Sequence, residues 1–318
     1  MYRKERGATI TKKILLFCDP GIDDSLAIIY SLLNPDIELV GIVTSYGNVS
    51  KEEATANAAY LLHLAGRNDI PIIPGATKPF KPENIAVYPE IHGKDGIGPI
   101  KIPKNFQYDI HTFDTLRFIL EKNKNELIIV DTGRSTTLCM VFTLYPELMK
   151  NVQAFYVMGG AFFIPGNITA LAEANFYGDP TASNFILETA HNLTITPLNV
   201  TQHAIITQDI VDVISKNMKN PFAFMMDPIF KYYYEFYKEK MPGIPGAPIH
   251  DLLTIMVIQH PSIVDYIHYD ANVIEGTEAK GMSYIDYRPT SKKGKTRIAM
   301  KLHYDLFLKE FKRVMLPE

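Results

Sequence analysis

This sequence predicts an α/β fold with a mainly parallel central sheet and helices on both faces. Three observations predict it. Short apolar runs of strand length alternate with amphipathic stretches of helical spacing along most of the chain. One of these pairs, Ile14 to Tyr30, reads as strand, tight turn and helix in immediate succession. The strand-length runs end on Asp19, Asn48, Thr132, Met158-Gly159-Gly160 and Asn199. Open α/β sheets bind ligands beyond the carboxyl ends of their strands, so these ends predict one shared mouth.

The elements follow in order. Ile14 to Cys18 is an apolar strand ended by Pro20 and Gly21, which remove a donor and permit unusual backbone angles. From Asp23 onward Leu26, Ala27, Ile29 and Tyr30 recur at helical spacing. Ile37 to Thr44 is a second strand, and Lys51 to Ala65 a helix with Ala54, Ala58, Leu61 and Leu62 inward. Pro71 to Ile73 starts a third strand that Pro74-Gly75 ends. Pro79 to Lys104, rich in Pro and Gly, reads as an irregular excursion. A helix near Thr112 to Lys122 and strands at Leu127 to Asp131, Val152 to Met158 and Leu193 to Leu198 continue the alternation, with a helix near Thr181 to Thr189. Tyr232 to His260 reads as helical, broken at Met241 to Gly246; Gly276 to Tyr287 predicts a hairpin and Tyr304 to Val314 a closing helix.

Composition narrows the class. With 47% apolar and 21% charged residues, 318 residues build a large core, and residues 1–318 read as a single α/β domain because no linker or repeat interrupts them. A net charge of −3 makes no electrostatic case for nucleic acid or an acidic membrane. No apolar stretch is long enough to span a bilayer, and the run after the basic Met1 to Lys13 is too short for a secretory core. Two cysteines, Cys18 and Cys139, without metal-ligand spacing predict a reducing cytoplasm.

Chemistry concentrates at the first turn. Asp19, Asp23 and Asp24 crowd the end of one strand and the start of the next helix. One such aspartate is ordinarily a helix cap. A helix N-terminus rewards a nearby anion by only about 0.3–1 kcal/mol. Three carboxylates repel by more than that unless a hard divalent cation, Ca²⁺ or Mg²⁺, joins them.

The run D-P-G-I-D-D-S-L-A from Asp19 resembles the N-terminal signature of the calcium-dependent nucleoside hydrolases, the inosine-uridine preferring nucleoside hydrolase-like family. Further segments carry the resemblance to the C-terminal helix. Met158-Gly159-Gly160, Gly166-Asn167 and Glu173-Ala174-Asn175-Phe176 match a family segment that grips ribose hydroxyls, and His92-Gly93-Lys94-Asp95-Gly96-Ile97-Gly98 matches one whose histidine approaches the base. His250-Asp251, which alone reads as a capping aspartate beside a histidine, matches the family's His-Asp pair. The resemblance implies Ca²⁺ held by Asp19, Asp24, Asp251 and the Thr132 carbonyl, with Asp19 as general base and His250 as acid. It implies substrate contacts from Asp23, Asn48, His92, Met158, Asn167, Glu173 and Asn175, and a Rossmann-type core in a homodimer or homotetramer. The absence of Trp sets the chain apart from the family branch that stacks purines between tryptophans.

The implied activity is hydrolysis of the N-glycosidic bond of ribonucleosides to free base and ribose. A carboxylate such as Glu173 near the ribose 5′ end would repel a phosphate, favouring nucleosides over nucleotides. Three positions depart from the family pattern. Phe17 replaces an aspartate two residues before the Asp-Pro-Gly turn, Asn199 stands where aspartate is frequent, and Arg134 follows Thr132 where small or neutral residues are usual. Arg134 either binds a substrate anion or pairs with Asp131. Placed near the mouth, these departures raise a second possibility, a protein that binds nucleosides with little or no turnover. A Mg²⁺-dependent phosphatase with Asp19 as nucleophile is the other alternative, although Pro20-Gly21 departs from the D-X-D-X-T such enzymes carry.

Overall fold

The computed structural model describes residues 11–81, 87–291 and 293–316; the N-terminal ten residues and part of the irregular excursion, residues 82–86, lie outside them. The strands are β1 Lys12–Cys18, β2 Ile37–Thr44, β3 Ile72–Pro74, β4 Leu127–Asp131, β5 Ala154–Met158, β6 Leu193–Thr196, β7 Ile205–Thr207, β8 Gly246–Pro248, β9 Val264–His268, β10 Ala271–Val273, β11 Ser283–Ile285 and β12 Arg297–Leu302. The helices are α1 Ile22–Leu33, α2 Lys51–Leu64, α3 Pro89–His92, α4 Asp114–Lys122, α5 Thr136–Leu144, α6 Pro146–Met149, α7 Ala174–Gly178, α8 Pro180–Thr189, α9 Leu198–Thr201, α10 Gln208–Asn217, α11 Ala223–Lys240, α12 His250–Gln259 and α13 Tyr304–Met315.

Eight strands form one sheet in the order β3-β2-β1-β4-β5-β6-β12-β9. Every pairing is parallel except that of β12 with the edge strand β9. The chain moves outward from β1 to β3, then returns to the other side of β1 with β4. That reversal leaves a crevice beyond the ends of β1 and β4, where parallel sheets receive ligands. Asp19 follows β1 and Thr132 follows β4, so the topology alone brings them together.

Each face of the sheet buries its own core. Ile14, Leu16 and Cys18 pack with residues of α1, α12 and α13, while Leu15 and Phe17 pack with Val43, Ile129 and Phe155. The Phe17 side chain is therefore core and does not line the cleft, a correction to reading it at the mouth; only its carbonyl, which accepts from Thr132 N at 2.9 Å, meets the site. Two further readings change. The strand expected to run to Leu198 stops at Thr196, because Pro197 cannot donate to the ladder and Leu198 opens α9. The hairpin expected within Gly276 to Tyr287 pairs β11 with β10, whose arm lies upstream of that window.

Candidate active site

The turn after β1 sets the geometry. Gly21 is required by close approach, since a Cβ there would lie 2.5 Å from His92 Nδ1. The open N-terminus of α1 then uses its amides: Gly21 N donates to Asp24 Oδ2 at 3.2 Å and Ile22 N to His92 Nδ1 at 3.1 Å. The second bond puts the His92 proton on Nε2. Asp24 is held further by Thr132 Oγ1 at 2.9 Å and Asn48 Nδ2 at 3.0 Å.

Asp23, Asp24 and Asp251 each bring a carboxylate oxygen to within 4.8 Å of the others, all buried. Burial raises all three, to about 7 for Asp23, and repulsion from neighbouring carboxylates adds to it at Asp23 and Asp251; a hydrogen bond between the Asp23 and Asp251 carboxyls raises Asp251 and lowers Asp23. Burial also raises Asp19 well above the carboxylate range, opposed by Arg134. Asp19 Oδ2 accepts from Asn48 N at 2.6 Å and from the Arg134 guanidinium, while Asp19 Oδ1 and Asp23 Oδ1 are buried without a partner among the described residues. Orphaned carboxylate oxygens around an all-oxygen donor set are what a hard divalent cation satisfies. Four positions were expected to hold the metal: Asp19, Asp24, Asp251 and the Thr132 carbonyl. The tight acidic group contains Asp23 in place of Asp19, whose Oδ2 is paired with Arg134. The Thr132 carbonyl lies beside it and accepts from Asn175 Nδ2 at 2.8 Å.

A cleft opens over this cluster and brings together Asp23, Asn48, His92, Thr132, Met158, Asn167, Glu173, Asn175, His250 and Asp251. Glu173 lines it, but its carboxylate is spent on backbone: Oε1 accepts from Asn175 N at 2.8 Å, and Oε2 from Gly160 N at 2.9 Å and Phe176 N at 3.1 Å. It caps α7 and joins the loop after β5 to it. Asn167 Oδ1 accepts from Ala174 N at 3.0 Å. Asn199 does not line the cleft; both ends of its amide bond the Phe162 backbone, at 3.0 and 2.7 Å, and brace the same loop.

On the opposite wall His250 opens α12, and no side chain caps that helix, so Asp251 is not its cap. His250 Nδ1 lies 2.9 Å from Thr201 Oγ1 and Nε2 3.1 Å from the Tyr237 hydroxyl. Burial lowers His250 to about 4 and His92 to about 3, so both rings are neutral near pH 7. His92 Nδ1 thus forms no ion pair with Asp23 Oδ1, 3.9 Å away. Tyr88, Ile91, Ile168, Tyr233 and Tyr237 also line the cleft and fall outside the motifs legible in the sequence. Tyr233 and Tyr237, four residues apart on α11 and 13 positions or more before His250-Asp251, were the available signal.

Fold and site together define a carboxylate-based hydrolase of the open parallel-sheet α/β class. The chain belongs to the inosine-uridine preferring nucleoside hydrolase family, whose model matches residues 14–309. It is 33% identical over 278 residues to a probable uridine nucleosidase 2 of Arabidopsis thaliana, covering 86% of this chain and 85% of that protein. It is 30% identical to the inosine-uridine preferring nucleoside hydrolase of Leishmania major, covering 93% and 95%. Among solved structures it resembles a purine-preferring ribonucleoside hydrolase from Gardnerella vaginalis, with a TM-score of 0.87, 28% identity and coverage of 96% and 98%. The protein is an enzyme that hydrolyses ribonucleosides, and its buried aspartate cluster can bind a metal ion. The non-hydrolytic and phosphatase alternatives lose their support with that membership.

Proposed function

We propose that this enzyme is Ca²⁺-dependent, acts on nucleosides in preference to nucleotides, and takes uridine and inosine among its substrates. The observation that carries the reading is the meeting of Asp24, from the first helix, with Asp251, from the twelfth, beneath one cleft lined by polar side chains. Asp23, Asp24, Asp251 and the Thr132 carbonyl would hold the ion, with the free Oδ1 of Asp19 facing it. When bound, Ca²⁺ supplies Lewis acidity to an attacking water and orients sugar hydroxyls.

The chain's own groups do the rest. Asp19 Oδ1 takes the proton of the water as general base. Asp23, Asn48, Asn167 and Asn175 fix the ribose, with Met158 against it, and the buried carboxylates favour the positive charge that develops on the sugar ring. Glu173 acts by holding the loop that presents Asn175. On the base side His250, neutral near pH 7 and tied to Thr201, orients the Tyr237 hydroxyl toward the departing base, and solvent supplies the proton the base takes up. His92 offers its Nε2 proton as a second donor. Among the described residues lining the cleft none is Lys or Arg, which supports nucleosides over phosphorylated substrates. The enzyme's uridine- and inosine-directed relatives support those two bases.

Ribose release from a panel of uridine, inosine, cytidine and uridine 5′-monophosphate tests the reading, with and without chelator. The expected result is loss in chelator, recovery with Ca²⁺ and little turnover of the nucleotide. Activity that survives the chelator, or returns with Zn²⁺ and not Ca²⁺, would overturn the calcium assignment. We further place the enzyme in the cytoplasm as a homodimer or homotetramer; its two cysteines are buried and unpaired, and no described helix is long and apolar enough to cross a membrane. Light scattering would decide the oligomer.

A further inference from the structure

We propose that Arg134 is a resident counter-cation of the acidic site: it competes with the divalent metal for Asp19 and keeps the metal-free protein folded. The inference rests on the metal-site reading above and concerns a residue that touches neither sugar nor base. Arg134 follows β4, is 3% exposed, and is the only buried Lys or Arg among the described residues. Its Nη1 donates to Asp19 Oδ2, and its guanidinium lies 5.8 Å from the centre of the Tyr88 ring. Burial opposes its charge, but Asp19 holds it charged. It does not pair with Asp131, whose carboxyl turns to Ser135 and the Gly133 amide.

The surrounding backbone makes room for this pair. A Cβ at Gly47 would lie 1.7 Å from Asp19 Oδ2 and 2.0 Å from Arg134 Nη1. One at Gly178 would lie 2.5 Å from Arg134 Cγ and 2.8 Å from Nε. Neither glycine has a positive φ, so space and not backbone conformation requires them. Two elements distant in sequence therefore open around one ion pair.

The consequence is electrostatic. Without a metal, Asp19, Asp23, Asp24 and Asp251 are buried together, and among the described residues Arg134 is the one buried Lys or Arg that offsets them. With a metal, that same positive charge repels the ion and leaves it a single Asp19 oxygen, Oδ1. Arg134 thus weakens metal binding and narrows the stability gap between the metal-free and metal-loaded enzyme.

Calorimetric titration of Ca²⁺ into chelator-stripped enzyme tests this, together with Tm in chelator and in saturating Ca²⁺. Arg134→Gln keeps a donor to Asp19 and discards the charge; Arg134→Lys keeps the charge. R134Q should bind Ca²⁺ tighter by about 10-fold or more, as expected for removing a unit charge beside a divalent ion at protein dielectric. Its Tm should fall in chelator far more than in Ca²⁺, while R134K stays within about 3-fold of the parent Kd on the same grounds. An R134Q protein folded only with Ca²⁺ would also support the proposal. An unchanged or weaker Kd, an equal Tm loss in both buffers, or failure to fold in either would overturn it. A parent enzyme that takes up no Ca²⁺ at all would instead sink the metal-site reading.

Discussion

Asp19 offers one free oxygen, and that fact organises the chemistry at the residue scale. Oδ2 is committed to Asn48 N and Arg134, so only Oδ1 can receive a proton or face a cation. Asp19→Asn, isosteric but unable to act as a base, should lower kcat by roughly 10²–10⁴-fold, the span of general-base contributions, with little loss of binding in a nucleoside titration. Tyr237→Phe should slow uridine hydrolysis by a similar class of effect, yet leave p-nitrophenyl riboside, whose leaving group needs no proton, nearly untouched. Equal loss on both would show that the Tyr237–His250 pair does not serve the leaving group. Stability against pH reports the same carboxyls. Burial raises Asp23 and Asp131 to about 7 from 3.8, so the metal-free fold holds protons that the unfolded chain has released. That stabilisation is present at low pH and lost as pH rises through 7. His92 and His250, lowered to about 3 and 4 by burial, act oppositely and only below 6.5, where the unfolded chain takes up protons. In chelator, Tm should therefore fall between pH 6.5 and 8, and Ca²⁺, which replaces the Asp23 proton, should remove the Asp23 share of the fall and leave that of Asp131. A Tm flat or rising across that window in chelator would contradict the assignment.

At the scale of elements, capping and packing decide where helices begin. Ser50 Oγ accepts from Glu53 N at 3.2 Å and Glu53 Oε2 accepts from Ser50 N at 3.0 Å, a closed box at the start of α2. Ser50→Ala should cost about 1 kcal/mol in a denaturant titration without changing kcat, because α2 presents no cleft-lining residue. The same local chemistry made most elements legible: Ile37–Thr44 and Leu127–Asp131 fall where the apolar runs place them, and Asp179 starts α8 by accepting from Ala182 N at 3.1 Å. The helix α11 was read from Tyr232 and begins at Ala223, with Pro228 inside it. An internal proline costs a helix ~3 kcal/mol, and propensity alone argues against one there. Burial of Met225, Met226, Ile229, Phe230 and Tyr233 overrides it. No local signal reports packing of that kind. The antiparallel edge strand β9 carries no local signal for a related reason, since its burial is mixed and its partner β12 lies 29 or more residues on.

Across the whole molecule, strand order turns separate motifs into one site. The reversal between β1 and β4 places Asp19 beside Thr132, and α12 then delivers His250 and Asp251 from the far end of the chain. Because the cation binds this assembled site and not the unfolded chain, Ca²⁺ at 100 times its Kd should add about 2.7 kcal/mol and raise Tm by several degrees. Scanning calorimetry with Asp24→Asn as the comparison checks it, as that variant should lose most of the gain. The sequence by itself determined the alternating α/β plan, the acidic turn after the first strand and the residue types that grip a sugar, since these depend on local periodicity and side-chain chemistry. Tertiary structure alone decided the partners: Arg134 on Asp19 and not Asp131, Phe17 in the core, Glu173 turned to backbone amides, Tyr237 on His250. Those choices follow from which elements become neighbours in the folded sheet, and spacing along a single element carries no record of that.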